Sequence, residues 1–340
     1  ITSPADYPDE LRLMAAKLAH PGWDPAPVNR AKAVALAAYS GFDASPDGVI
    51  GRDLEGLLRD GDPRWGTPDR AAIEALTPAA FRKFWEPRLA EGPIEVSVFG
   101  EIKVDDAIAA VARTFGAMPA RTVGKAAAAA VRFPRHAGQP VVRTHDGPET
   151  QAAAVIAWPT GGGVAGAAES RRLEVLAQIF QDRMFERLRN DAGASYSPNV
   201  QSQWPMGLPG GGRLLAIGQV APDKVDYFFR LSREIAADLV ARPVTDDELR
   251  RVLVPLGQAF LRATTGNLFW LRQLGGATYD PRLYDAARSL PRDLIAITPA
   301  VLQQTAAKYL RPDADWTLAV VPGKKAGAVT SGKPDGSRQF

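Results

Sequence analysis

The chain has 340 residues, of which 46% are hydrophobic and 23% charged, so it can bury ordinary cores and is long enough for two domains. Its 41 lysines and arginines and 38 aspartates and glutamates leave a net charge of only +3, which argues against a nucleic-acid partner. The lack of cysteine excludes disulfides, thiolate nucleophiles and cysteine zinc sites, and no apolar run is long enough for a membrane span.

Apolar periodicity predicts a chain of mixed secondary structure. Spacing of about 3.6 residues predicts helices over 8–19, 26–41, 46–59, 78–90, 104–116, 167–190, 223–241, 245–263, 281–290 and 299–310. β-branched or alternating runs predict strands over 93–100, 139–146, 151–158, 213–220 and 315–321. This mixture predicts an α+β fold, in which an antiparallel or mixed sheet carries helices on one face.

Two pairs of landmarks indicate an internal repeat. Pro21 and Pro243 follow similar helices, and the helix-starting pairs Thr77-Pro78 and Thr298-Pro299 recur at nearly the same offset. The predicted organisation is an incomplete first unit over 1–120, a linker over 121–135, a second unit over 136–323 and a flexible tail over 324–340. If the copies are equal in length, about 85 residues of the first unit precede residue 1.

The most informative motif ends the long helix predicted over 167–190. It runs from Phe185 to Tyr196, with Leu188-Arg189, Gly193 and Tyr196 at fixed spacing. It resembles the Leu-Arg-x-x-x-Gly-x-x-Tyr motif in the C-terminal half of M16 (pitrilysin/insulinase) metallopeptidases. The passage from Ile94 to Gly100, followed by a helix ending at Phe115-Gly116, also resembles that family.

The resemblance implies two similar M16-type domains and a role beside a zinc-bearing partner half, which is either an upstream segment of the same gene product or a separate subunit. In the family, the Arg and Tyr contact peptide substrate, so the resemblance assigns substrate binding to Arg189 and Tyr196. Both side chains can donate hydrogen bonds to a peptide carbonyl. The alternative is that Arg189 only caps the C-terminus of its helix and Tyr196 only packs against its neighbours.

The sequence predicts no metal ligands and no catalytic residue in this chain alone. Active M16 halves carry His-x-x-Glu-His and a distal Glu, whereas His20, His136 and His145 each lack a histidine partner at i+4. The helix at 27–42, where the resemblance places the distal ligand, has no carboxylate. We therefore expect no cofactor here and zinc in the partner half.

Structural roles explain the other glycine and polar clusters better than binding or catalytic roles do. Gly161–Gly163 and Gly210–Gly212 match turns better than phosphate loops. The acidic run Asp246-Asp247-Glu248 after Thr245 is typical of a helix start rather than a catalytic pair. Ser195 and Ser197 have no identifiable base.

Two functions follow from the resemblance. The first is a zinc-free peptidase half that, with its partner, encloses a peptide substrate; alone it would be inactive. The alternative is a non-proteolytic M16-like structural or assembly subunit. The retained Arg/Tyr pair favours the first. Resemblance to long bacterial members favours a periplasmic or secreted protein, with the cytoplasm left open.

Overall fold

The computed structural model describes residues 2–122, 130–192 and 198–323, with the backbone alone for 189–192. Residues 2–122, here called the N-terminal helical region, contain α1 (Tyr7–Ala19), α2 (Pro25–Phe42), α3 (Pro46–Leu57), α4 (Arg70–Ala75), α5 (Pro78–Ala90) and α6 (Val104–Ala112). The rest contains β1 (Val141–His145), β2 (Ala152–Pro159), α7 (Ala167–Ala192), β3 (Asn199–Gln203), β4 (Arg213–Val220), α8 (Val225–Ala241), α9 (Asp246–Ala263), α10 (Asn267–Leu274), α11 (Arg282–Ile295), α12 (Pro299–Tyr309) and β5 (Trp316–Pro322).

Side-chain caps fix where several helices begin. Thr77 Oγ1 accepts the amide of Ala80 at the start of α5, and Thr298 Oγ1 accepts the amide of Val301 at the start of α12. Each cap is followed by proline, which has no amide to leave unpaired. The two predicted helix starts are therefore confirmed, whereas the equivalence of the two units stays a prediction.

The strands form one mixed sheet in the order β1-β5-β2-β4-β3. β1 pairs with β5 in parallel, and the remaining pairs are antiparallel. Val155 in central β2 lies opposite Ile217 on one side and Leu318 on the other. β2 is buried along nearly its whole length, as expected for a strand covered on both faces.

One face of the sheet packs against α7, α8 and α12. Phe180, Phe228 and Leu302 come from these helices and are fully buried. The predicted α+β sheet with helices on one face is confirmed here. The structure adds that α3 covers the opposite face, where Val49 and Leu58 meet Val155 and Leu318.

The predicted strand over 93–100 is wrong for this structure. The segment is extended but has no strand assignment, because no strand of the described residues runs beside it to complete a ladder. Its Val96 and Val98 instead pack against a small cluster of Tyr7, Leu11 and Ala110. Neighbouring α2 and α5 bury no residue at all.

Three elements were not expected from the sequence: α4, α10 and edge strand β3. β3 reads Asn-Val-Gln-Ser-Gln and is ordered by pairing with β4 rather than by its own apolar pattern. α11 also continues through Pro291 to Ile295, five residues beyond the predicted end. α6 stops at Ala112 rather than 116, and Phe115–Ala117 form a 3₁₀ turn.

The predicted tail at 324–340 and residues 123–129 of the predicted linker lie outside the described residues. Among the described helices, none combines the length and the apolar character needed to cross a membrane.

Candidate functional site

The motif helix α7 is anchored on the sheet by its apolar stripe. Phe180, Met184 and Leu188 recur at four-residue intervals and are fully buried. The Phe180 ring lies 5.9 Å from that of Trp158 in β2. Gln181 Oε1 accepts the amide of Val200 at 3.0 Å, which ties edge strand β3 to the same helix. α7 is thus packed on the sheet as far as Leu188.

Arg189 follows the anchor residue Leu188, and its backbone belongs to the last turn of α7. By helical spacing, backbone position 189 shares a stripe with Phe185 and Glu186, away from the buried stripe. The Arg189 side chain and all of Tyr196 lie outside the described residues, as do Ser195 and Ser197. The geometry of the predicted Arg/Tyr pair stays a prediction.

A network of ion pairs surrounds Arg183, two turns before Arg189. Its Nη1 donates to Asp238 in α8 at 2.8 Å, and its Nε donates to Glu248 in α9 at 2.7 Å. Burial alone would raise the pKa of Glu248, but hydrogen bonds from Arg183 and Thr245 outweigh it and lower the pKa to about 2. Glu248 is therefore an ionised structural group and not a proton donor at neutral pH.

This network lies in a shallow surface cleft between α7 and α9. Phe185 is half exposed on the cleft wall, which also holds Asp182, Glu186 and Arg251. A second depression on the other side of Arg183 includes Glu234 and Arg242. Such a surface offers one aromatic contact and charges of both signs.

The histidines do not form a metal site. His145 is buried, with Nε2 2.8 Å from the carbonyl of Gln151 and Nδ1 accepting the amide of Gly147. His136 Nδ1 lies 2.9 Å from Asp315 Oδ1, and that carboxylate also accepts Arg233. His20 is exposed on a separate helix end.

The described side chains also lack the ligands that a zinc site of the M16 type would need. α2 carries no carboxylate, and no group of three His, Cys, Asp or Glu side chains in the described ranges is arranged to hold a metal ion. The described residues therefore do not fit a zinc centre of the M16 type.

The glycine runs serve packing. The amide of Gly212 donates to Gly161 O, and the amide of Gly163 donates to Pro205 O, so neither amide is free for an anion. A Cβ at Gly161 would lie 2.3 Å from the Trp204 ring, which explains why glycine is needed there. The structure has bends at Gly163 and Gly210 and irregular backbone at the other four glycines, so the prediction of turns stays a prediction.

The acidic run behaves as predicted. Thr245 and Glu248 form a capping box at the start of α9. The sequence did not reveal that Glu248 also pairs with Arg183, because the two residues are 65 positions apart. The sequence feature that could have indicated an ion-pair network is the spacing of Arg183 and Arg187, which lie one turn apart on the polar side of a long helix.

The family model described as the peptidase M16 inactive domain matches residues 75–253, from α4 into α9. No curated protein compared with this sequence matches it.

Solved structures share the fold at low sequence identity. A peptidase M16 inactive domain from Pseudomonas fluorescens is 18% identical, with a TM-score of 0.72 over 95% of this chain and 77% of that one. The periplasmic protease PqqL from Escherichia coli is 14% identical, with a TM-score of 0.74 over 94% of this chain. The ferredoxin protease FusC, in complex with Arabidopsis ferredoxin, is 16% identical, with a TM-score of 0.71 over 94% of this chain.

The chain spans only 35% of the length of both PqqL and FusC. Since the family model matches more than half of the sequence, this chain belongs to the family of M16 peptidase inactive domains.

Proposed function

We propose that this chain is the zinc-free half of a two-half peptidase, lining a chamber that a zinc-bearing half closes around a peptide. The observation that carries the proposal is the Leu188-Arg189, Gly193, Tyr196 motif in a chain of the M16 inactive-domain family. Arg189 and Tyr196 donate hydrogen bonds to the substrate near the attacked carbonyl, where negative charge develops. The zinc and the attacking base belong to the other half.

The anchoring of α7 supports this role. A residue that stabilises a transition state must be held within a fraction of an ångström, and rigid elements do this better than loops. Met184 and Leu188 pack into the sheet core directly before position 189. The cleft beside Phe185 then offers peptide side chains a place to bind next to position 189.

We also propose the two-unit organisation with a linker at 121–135. In the sheet, β5 has β1 on one side and β2 on the other. By the repeat, segment 94–98 corresponds to β5, and in the proposed complete unit strands equivalent to β1 and β2 would flank it. Exposed Val34, Phe84 and Ile108 would then be covered.

The test is reconstitution with an M16 half that carries His-x-x-Glu-His. Arg189→Ala and Tyr196→Phe should each lower kcat about 10- to 1,000-fold, by analogy with oxyanion-hole donors. Neither should change the melting temperature by more than a surface substitution does. The isolated chain should be inactive in every form.

Matched controls come from the same chain. Arg187→Ala removes an arginine from the same helix, where it pairs with Glu234 at 3.3 Å, and Tyr279→Phe removes an exposed phenol. Both should leave kcat unchanged. Normal kcat for Arg189→Ala with a lowered melting temperature would instead support the helix-capping role, and a pair of halves that assembles without any turnover would support the structural-subunit alternative.

A periplasmic location is part of the proposal, supported by the structural similarity to PqqL, a periplasmic protease. Fractionation of cells that express the natural protein tests it.

A further inference from the structure

Two buried arginines meet where α3 packs on the sheet. Arg59 follows the end of α3 and is 7% exposed, and Arg213 begins β4 and is 2% exposed. Arg59 Nη1 donates to the carbonyl of Gly211, two residues before Arg213. Arginine side chains carry a positive charge in proteins. Two positive charges are thus buried at one contact.

Their charges are only partly balanced. Arg213 Nη2 donates to Glu55, whose side chain is half exposed and which is the one carboxylate paired with either arginine in the described residues. The Arg59 guanidinium lies 4.6 Å from the centre of the Trp65 ring. Burial, and after it the charge of Arg213, lower the pKa of Arg59. One positive charge therefore exceeds the local negative charge.

Three guanidinium nitrogens at this contact have no acceptor among the described residues. Arg59 Nε, Arg213 Nε and Arg213 Nη1 are all buried and unpaired in the described structure. Buried polar groups nearly always find partners, and a buried charge without one is costly. The sequence at 123–129, next to nearby Val131, contains no acidic residue that could balance the charge.

We propose that Arg59 and Arg213 bind one small oxyanion of the phosphate or sulfate type at the contact between α3 and the sheet. Guanidinium groups match such anions because their planar N–H donors pair with several oxygens at once. Because Arg213 is only 2% exposed, the ligand is a small free ion rather than a polypeptide segment. The bound anion joins the N-terminal helical region to β4.

The test measures binding of radiolabelled inorganic phosphate to the full chain by equilibrium dialysis in Tris chloride. The expected result is one saturable site per chain. Sodium phosphate should also raise the melting temperature, whereas sodium chloride at equal ionic strength should not. Competition by sulfate should match that by unlabelled phosphate.

Substitutions test whether Arg59 and Arg213 form the phosphate-binding site. Arg213→Gln and Arg59→Gln should each weaken phosphate binding at least tenfold, whereas Arg12→Gln, at an exposed arginine paired with Asp9, should leave it unchanged. If Arg213→Gln does not fold, Arg59→Lys serves in its place, because lysine keeps the charge and loses the planar fork. Absence of saturable binding by the unmodified chain, equal protection by chloride, or undiminished binding by the arginine variants would each overturn the proposal.

Discussion

Thr278 donates two hydrogen bonds to Glu95, from its hydroxyl at 2.8 Å and from its amide at 3.2 Å, both to Oε1. The amide of Gly276 donates to the other carboxylate oxygen at 2.6 Å. Glu95 belongs to the extended segment of the N-terminal helical region, and the donors belong to the loop between α10 and α11. One carboxylate thus joins two parts of the chain that are about 180 positions apart in sequence.

Glu95→Gln should loosen this contact. An amide side chain can accept on one side only, so at least one of the loop donors loses its partner. We expect faster hydrogen exchange at the amides of 276 and 278, measured by mass spectrometry. Glu101→Gln, at an exposed glutamate nearby, is the control and should leave the loop unchanged. Unchanged exchange in Glu95→Gln would contradict the contact.

The same contact should depend on pH. The hydroxyl of Thr278 has the largest effect on the pKa of Glu95 and lowers it. Burial raises it by less, and the amides of Thr278 and Gly276 lower it further, so the pKa lies below its ordinary value of 4.5. A lowered folded-state pKa means that the stabilisation is complete above pH 4.5 and is lost as the pH falls through the folded pKa. Loop exchange, corrected for its intrinsic pH dependence, should therefore rise below pH 4.5.

Glu248→Gln should reduce the acid sensitivity of the fold. The pKa of Glu248 falls from 4.5 to about 2 on folding, so the ionised group stabilises the protein above pH 4.5 and loses this effect between pH 4.5 and 2. At pH 7 the variant should lose about 1 kcal/mol, since both the capping box and an ion pair are weakened. At pH 2 the difference should nearly vanish.

Urea titrations at the two pH values measure this difference. Asp246→Asn changes an exposed carboxylate in the same first turn of α9 and is the control. An equal loss of stability for Glu248→Gln at both pH values would show that its ionisation is not what stabilises the helix.

Gly166→Ala should destabilise the sheet-bearing region without changing any polar contact. A Cβ there would lie 2.0 Å from the Trp204 ring, which is held by a hydrogen bond from its Nε1 to Gly163 O. Overpacking of this kind costs about 1 to 3 kcal/mol. Gly207→Ala, where a Cβ meets nothing within 4 Å, should have little effect. Thermal melts of the two variants side by side decide the matter, and equal melting temperatures would count against the packing argument.

Metal analysis of the dialysed chain should find no stoichiometric zinc. The described histidines are engaged separately or exposed, and α2 lacks a carboxylate. Elemental analysis by mass spectrometry is the measurement, with an active M16 half treated in parallel as the positive control. One tightly held zinc per chain would contradict the expectation.

The sequence by itself determined the family, most of the helices and the strands of the sheet with strong apolar patterns. The local sequence was sufficient to predict the helix starts at Thr77, Thr245 and Thr298, because a capping side chain and the amide it accepts are only three residues apart. Apolar periodicity was sufficient to predict α7 as a helix, because its buried stripe repeats over many turns.

Tertiary structure decided what depends on distant neighbours. Segment 94–98 has the pattern of a strand but no strand beside it in the described residues, whereas β3 has a polar pattern and is a strand because β4 lies beside it. α3 lies on the second face of the sheet, which brings Arg59 near Arg213 across 154 positions of sequence. Strand pairing and buried charge are properties of neighbours in space, and a single sequence specifies only neighbours along the chain.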